Sequence, residues 1–144
     1  MKKILVSLMM SLCILQAGFA ADNINDPIIR AFNANFSEAK EVSWEYGDNY
    51  AKATFTLNGR TQYAFYTHHG ELMGVAQYIR IDELPASLTE LVKKNYPSYW
   101  ISSLFELNSD DEKSYFITIE NADQTLILKN NRSFGWSLFK RTVK

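Results

Sequence analysis

An internal repeat constrains the fold of this chain more than any other feature of its sequence. Residues 53–72 (ATFTLNGRTQYAFYTHHGEL) align without a gap on residues 115–134 (YFITIENADQTLILKNNRSF), at a shift of 62 positions. Residue identity is low, so the match rests on the pattern of apolar and polar positions. A repeat with a long period predicts two copies of one structural unit. The aligned apolar pairs are Phe55/Ile117, Leu57/Ile119, Ala64/Leu126 and Tyr66/Leu128.

An amphipathic segment that predicts a helix precedes each copy of the repeat. Asp26 is expected to cap the first helix, with Pro27 at its first position, where a missing N–H costs nothing. Ser87 and Glu90 form a possible capping box for the second, although Leu84-Pro85 allow an earlier start, and Pro97 ends it. The apolar stripes are Ile28, Ala31, Phe32 and Phe36, and then Leu88, Leu91, Val92 and Tyr96.

Alternating residues predict the strands between and after these helices. The predicted fold class is therefore α+β, with two tandem units, each a helix followed by an antiparallel meander of about four strands. We expect both helices to pack on one sheet face of a single domain, with repeats at about 26–80 and 84–144. The strands are expected at 42–46, 50–57, 61–67, 72–79, 101–107, 114–120, 124–129 and 134–142.

The loop of the first hairpin, around Asn58-Gly59, decides which side chains share a sheet face. Asn-Gly is typical of a two-residue type I′ turn, but that register places Phe55 opposite Gln62 and mixes apolar with polar positions. A one-residue slip moves every side chain to the other face, so we predict an odd-numbered, bulged loop with Gly59 at positive φ. This register puts Ala53, Phe55, Leu57, Tyr63 and Phe65 on one face, and Lys52, Thr54, Thr56, Gln62, Ala64 and Tyr66 on the other.

Residues 1–20 have the organisation of a secretory signal peptide. Lys2 and Lys3 precede an apolar stretch too short to span a bilayer, and Gly18-Phe19-Ala20 supply a cleavage site after Ala20. A lipoprotein signal at Cys13 is disfavoured because Leu12 stands where a small residue is needed. We therefore expect an exported protein, periplasmic or extracellular, that consists of residues 21–144.

The composition of residues 21–144 excludes several classes of function. Loss of Lys2 and Lys3 lowers the net charge from −1 to −3, which argues against nucleic acid as a partner. The only cysteine, Cys13, leaves with the signal, so no disulfide and no cysteine metal site are expected. No second apolar run reaches the roughly 20 residues of a membrane helix, so no transmembrane segment is expected in the mature chain.

The candidate catalytic and metal-binding residues are few. His68 and His69 lie in a predicted turn with no evident third ligand, and we interpret them as exposed turn histidines. Asp110, Asp111 and Glu112 form an acidic loop without an apolar pocket that could separate their pKa values. We therefore predict no enzyme activity, no catalytic residues, no metal site and no cofactor.

The aromatic residues are the better indication of function. Tyrosine and tryptophan among polar neighbours suit a protein-binding surface, because they offer rigid contact area and a hydrogen-bonding tip. Trp44 is expected mainly in the core. The candidate partner-binding surface consists of Tyr50, Lys52, Thr54, Gln62, Tyr66 and Trp100.

The order of several short motifs resembles the PepSY-like family of exported bacterial proteins, which has the beta-lactamase-inhibitor-protein-like fold. The motifs are a helix ending in Phe36, AKEVSW at 39–44, YAKATF at 50–55, AFYTHHGEL at 64–72, Leu84-Pro85 and Tyr96-Pro97. Thr67 departs from the family, which often has an aspartate there. The resemblance implies a concave sheet and no catalytic residues to carry over. It does not imply beta-lactamase inhibition, because no segment here matches the inhibitory loops.

These observations favour an exported, non-enzymatic binding module, such as a modulator or inhibitor of an extracytoplasmic protein. Its partner would be an unknown protein or peptide of the cell envelope, bound on an exposed sheet face. A small-ligand carrier with an aromatic-lined pocket between helices and sheet is the alternative. A cryptic hydrolase that uses the histidines is the least favoured.

Overall fold

The structure, a computed structural model, describes residues 25–109, 112–131 and 135–144. The predicted signal peptide, Asp110 and Asp111 of the acidic loop, and residues 132–134 lie outside the described residues. The predictions made for those segments stay predictions.

The described chain consists of eight strands and two short α-helices. The strands form one antiparallel sheet in chain order, so each strand pairs with its neighbours in sequence. All eight predicted strands are present. The helices are α1 (Asp26–Asn35) and α2 (Ala86–Asn95), with a 3₁₀ turn at Ile81–Glu83, and the strands are β1 (Lys40–Tyr46), β2 (Ala51–Leu57), β3 (Arg60–Tyr66), β4 (Leu72–Tyr78), β5 (Trp100–Ser109), β6 (Glu112–Glu120), β7 (Gln124–Asn131) and β8 (Ser137–Val143).

The predicted fold class, α+β with two tandem helix-plus-meander units, is wrong. The molecule is mainly one eight-stranded antiparallel sheet that carries two short helices. The sheet continues past β4, where the Ile79 N–H donates to the Leu104 carbonyl at 3.0 Å. A strand at the end of a separate meander would expose unpaired N–H and C=O groups, and pairing with the next strand satisfies them. The alternation of apolar and polar residues within one repeat does not indicate that β4 pairs with the first strand of the next repeat.

The first of two compact units ends at Val75 and is built around Phe32. The ring of Phe32 contacts Phe55 at a centroid distance of 5.1 Å, Trp44 at 5.2 Å and Tyr66 at 6.4 Å. Ile28 and Phe32 of α1 are buried, which confirms the first predicted stripe. The placement of Trp44 against this cluster confirms its predicted core role.

The second unit, residues 76–144, has its own apolar cluster beneath α2. Leu88 and Val92 are the buried residues of the helix, which confirms the second stripe. The Trp136 indole N–H donates to the Leu88 carbonyl at 2.9 Å and so ties the segment before β8 to the helix. The strand residues of the cluster are Leu104, Ile117, Ile119, Leu126 and Leu128.

The helix starts agree with the sequence analysis only in part. Asn25 rather than Asp26 is the N-cap of α1. Pro85 is the N-cap of α2, which is the earlier start that Leu84-Pro85 allowed and not the capping box at Ser87. Neither helix has a side-chain cap. A proline favours a helix start because its fixed φ suits the first turn and its missing N–H costs nothing there, and Pro27 lies in the first turn of α1 as predicted.

The predicted odd-numbered loop of the first hairpin is also wrong. Leu57 pairs with Arg60 and Phe55 with Gln62, so the loop is the two-residue turn Asn58-Gly59. Asn58 has φ 52° and Gly59 has φ 75°, as a type I′ turn requires. The positive φ predicted for Gly59 is confirmed. The prediction failed because it assumed that buried side chains lie on one face only, whereas Phe55 on one face and Phe65 on the other are both buried.

The turn before β4 packs closely on the start of α1 at Gly70. This glycine has φ +88°, and a Cβ there would lie 2.8 Å from the Pro27 carbonyl oxygen. Gly59, at φ +75°, has nothing within 4 Å of the same position. The two glycines therefore share the need for positive φ and differ in the space around them.

We expect Gly70→Ala to destabilise the protein more than Gly59→Ala does. The left-handed backbone costs either alanine about 1–2 kcal/mol, and the clash with backbone at residue 27 adds about 1–2 kcal/mol at position 70 alone. Chemical denaturation of the two variants measures the difference. Equal losses of unfolding free energy would show that the turn does not rest against α1.

Candidate functional site

The hairpin register sorts the first unit into two faces. One face packs against α1, and the other, which we call the helix-free face, points away from it. Paired residues of an antiparallel ladder lie on the same face, and neighbours alternate. The helix-free face is formed by Ser43, Glu45, Lys52, Thr54, Thr56, Thr61, Tyr63 and Phe65.

An ion pair between Lys52 and Glu45 lies at the centre of this face. The Lys52 ammonium is 2.7 Å from the Glu45 carboxylate, and the two side chains are 8% and 42% exposed. The lysine stem is thus covered while the carboxylate meets solvent. The ladder places the two residues directly opposite each other on β1 and β2, where opposite charges stabilise a sheet.

Aromatic side chains surround the ion pair. The Lys52 ammonium lies 5.9 Å from the ring centroid of Tyr63, within the range of a cation–π contact. Phe65 is 2% exposed, and the ring of Tyr50 meets it edge-on at 6.1 Å. Burial raises the pKa of the Tyr63 hydroxyl, and the negative charge of Glu45 raises this pKa further. The hydroxyl therefore stays protonated at neutral pH.

This arrangement is suited to binding. Glu45 offers a hydrogen-bond acceptor that Lys52 holds in place, and the half-buried Thr54 adds a hydroxyl on the same face. Tyr63 contributes both contact area and a polar tip.

The structure brings together some of the predicted surface residues and separates others. Lys52 and Thr54 lie on the helix-free face, and Tyr50 borders it. Gln62 and Tyr66 lie on the face that packs against α1, contrary to the predicted register. Whether any of the predicted residues binds a partner stays a prediction.

Tyr66 is a core residue. It is fully buried between Phe32 and Trp44, and its hydroxyl accepts a hydrogen bond from the Asn35 amide at 3.2 Å. Burial raises the pKa of Tyr66, and the bond from Asn35 lowers it in part. Tyr66 therefore cannot contact a partner on the helix-free face, and it contributes to that face only by packing on the opposite side of the sheet.

Trp100 lies in the second unit and is 54% exposed. The Lys144 ammonium is 5.1 Å from its ring centroid and 2.8 Å from the Glu120 carboxylate. Two other aromatic residues on the same side of β5 and β6, Phe105 and Phe116, differ from Trp100 in burial. Their rings stack at a centroid distance of 5.3 Å and are almost fully buried.

Sequence reasoning missed Glu45, Tyr63 and Phe65 as members of this face. The Asn58-Gly59 pair contained the signal. A two-residue type I′ turn places Tyr63 opposite Thr54 and Phe65 opposite Lys52, on the face that carries the ion pair.

The histidines are turn residues with structural contacts. The ring of His68 is half-buried, stacks on Tyr46 at 4.6 Å, and has Nε2 3.1 Å from the Gly47 carbonyl. His69 is exposed, as predicted, whereas the predicted exposure of His68 is wrong. Among the described residues, no group of three or more His, Cys, Asp or Glu could hold a metal ion.

An open groove of about 590 Å³ lies beside the first hairpin. It differs from the aromatic-lined pocket that the carrier hypothesis predicts between helices and sheet. Its lining has no aromatic residue and consists of Glu38, Lys40, Thr56, Leu57, Asn58 and Gly59. In the part of the chain that the structure describes, no helix is long and apolar enough to cross a membrane.

Comparison with solved structures identifies the fold. A DUF2874 family protein from Bacteroides ovatus superposes with a TM-score of 0.74 at 16% identity, covering 85% of this chain and 89% of its own. A protein from Bacteroides eggerthii described as periplasmic gives 0.73 at 14% identity, covering 88% and 90%. A BLIP-like protein from Bacteroides fragilis gives 0.67 at 16% identity, covering 84% and 86%.

The chain therefore has a BLIP-like fold, which the resemblance to beta-lactamase-inhibitor-like proteins predicted. At these identities the likeness shows the fold alone. No protein-family model matches the chain, and no curated protein matches its sequence. Membership of the PepSY-like family stays a prediction.

The ion pair should respond asymmetrically to removal of its two partners. We expect Glu45→Ala to cost about 1–2 kcal/mol, because it leaves the covered Lys52 ammonium without its counter-charge. Lys52→Met should cost less than about 1 kcal/mol, since the apolar chain fills the same space and leaves Glu45 in contact with water. Urea denaturation of both variants and the double variant measures the coupling. Equal losses for the two single variants would contradict the assigned burial.

Proposed function

We propose that this chain is an exported, non-enzymatic module that binds a protein through the helix-free face of its first unit. The observation that carries the proposal is the Lys52–Glu45 ion pair. The Tyr63 ring lies near the ammonium, and Phe65, which the Tyr50 ring contacts, is the residue opposite Lys52. Together they form a polar and aromatic centre on a sheet face that α1 leaves uncovered.

The composition of this centre is that of a binding hot spot. Tyrosines dominate such clusters, and a charge that is already positioned makes a directional contact without new ordering. Lys52 is covered along its stem, so little side-chain entropy remains to be lost when a partner binds. A preorganised surface of this kind favours a folded protein as the partner.

Export is supported by independent observations. Residues 1–20 have the sequence of a signal peptide, and a structural neighbour from Bacteroides eggerthii is described as periplasmic. We propose that residues 1–20 are removed and that residues 21–144 act in the periplasm as one domain with two repeats. The BLIP-like neighbour supports a binding role over a catalytic one.

The rival functions have less support. A hydrolase would need a free general base, whereas the His68 ring is engaged by Tyr46 and by the Gly47 carbonyl. A small-ligand carrier would need an enclosed, aromatic-lined pocket, and the groove beside the first hairpin is open and has no aromatic residue in its lining. A modulating or inhibitory effect on the partner would follow from coverage of the partner's own site.

We expect Thr54→Arg to weaken partner binding about tenfold and Asn33→Arg to preserve it. Thr54 is half-buried on the helix-free face, whereas Asn33 is exposed on α1, so the two variants add the same side chain and charge at different places. Affinity capture from the envelope of the producing bacterium, read by quantitative mass spectrometry, compares both variants with the wild type. A partner of the helix-free face should be recovered about tenfold less with Thr54→Arg, a loss of about 1.4 kcal/mol.

Thermal unfolding of both variants verifies that each is folded before capture. A crosslinking amino acid at position 54, with position 33 as the control, gives a second measurement that does not depend on the arginine. Equal recovery with both variants, together with equal crosslinking at both positions, would contradict the proposed surface.

A further inference from the structure

The outer edge of β8 presents backbone N–H and C=O groups that do not take part in the ladder with β7. β8 is the last strand in the sheet order and pairs with β7 alone among the residues that the structure describes. The Lys144 N–H donates to the Asp123 carbonyl at 2.9 Å. Backbone bonds alternate along an antiparallel strand, so Thr142 also faces β7 while Arg141 and Val143 present their N–H and C=O groups outward.

The opposite edge of the sheet is less suited to strand addition. β1 contains a bulge between Lys40 and Ser43, where Glu41 has φ 55°. Such a bulge interrupts the row of outward backbone groups and protects an edge. In β8 the register shift falls at Phe139, and the pairing from Lys140 to Val143 is regular.

The side chains of β8 give its edge a charge. Residues 137–144 include Lys140, Arg141 and Lys144 and no acidic residue. Lys144 is paired with Glu120, whereas neither Lys140 nor Arg141 forms an ion pair with another residue that the structure describes. Arg141 is exposed, and Val143 is 75% exposed.

We propose that the outer edge of β8 binds an extended, acidic segment of a partner protein by strand addition. The backbone of Arg141 and Val143 would supply the ladder, and Lys140 and Arg141 would select the sequence. Cations on an edge strand oppose pairing with a second copy of the same strand, because like charges would then face each other. The same cations attract an acidic strand. This site is separate from the helix-free face and does not depend on it.

A peptide titration of the full chain tests the charge preference. The probe is a labelled eight-residue peptide of alternating valine and glutamate, and the control peptide has lysine in place of glutamate. Fluorescence anisotropy should show binding of the acidic peptide only, with affinity that falls as salt is added. Arg141→Glu should weaken binding about tenfold, whereas Lys93→Glu, the same charge change at an exposed position of α2, should not.

A proline at position 141 tests the strand geometry. The N–H of Arg141 points outward, so Arg141→Pro removes a docking donor without removing a bond to β7. Arg141→Ala removes the charge and keeps the N–H. Binding should fall in the order wild type, alanine, proline, and bound peptide should slow amide hydrogen exchange at Arg141 and Val143.

Three results would overturn the proposal. One is that the acidic peptide does not bind at concentrations up to about 1 mM, which means that its Kd is above about 1 mM. Another is equal weakening by Arg141→Glu and Lys93→Glu. The third is concentration-dependent self-association that Arg141→Glu abolishes, measured by sedimentation, which would assign this edge to a second copy of the chain.

Discussion

The two-residue turn at Asn58-Gly59 is the constraint on which the first unit depends. With both residues at positive φ, Leu57 pairs with Arg60, and every later pair of the hairpin follows. The turn thereby sends Tyr66 beneath α1 and Phe65 to the opposite face beside Lys52. A slip of one residue would move each side chain of one strand to the other face, so the packing of Phe32 and the surroundings of the ion pair depend on the same turn.

Much of the core could be predicted from the sequence. The helical stripes were confirmed because a 3.6-residue period leaves little choice of face. The repeat alignment matched Ala64 with Leu126 and Tyr66 with Leu128, and all four residues are buried. The prediction of an odd-numbered loop contradicted that match, because it assumed that one sheet face is apolar and the other is exposed to solvent. Phe65 at 2% and Lys52 at 6% exposure show why that assumption was wrong, since buried side chains lie on both faces of this hairpin.

The sheet organisation and the candidate site could be predicted only in part. Lys52 and Thr54 share a face by simple alternation, but the Glu45 partner depends on the pairing of β1 with β2 beyond a bulge. The continuation of the sheet after β4 depends on backbone groups, which carry no sequence signature. The edge of β8 is a similar case, because its outward N–H groups become visible only once the ladder with β7 is known.

Disulfide trapping tests the hairpin register most directly. Thr56 and Thr61 form a non-hydrogen-bonded pair in the two-residue register, which brings their Cβ atoms close enough for a disulfide, whereas Thr56 and Gln62 point to opposite faces. In a chain with Cys13→Ser, oxidation should crosslink Thr56→Cys/Thr61→Cys rapidly and leave Thr56→Cys/Gln62→Cys reduced, as read by mass spectrometry. Crosslinking of the second pair in preference to the first would show an odd-numbered loop and contradict both the assigned core and the helix-free face.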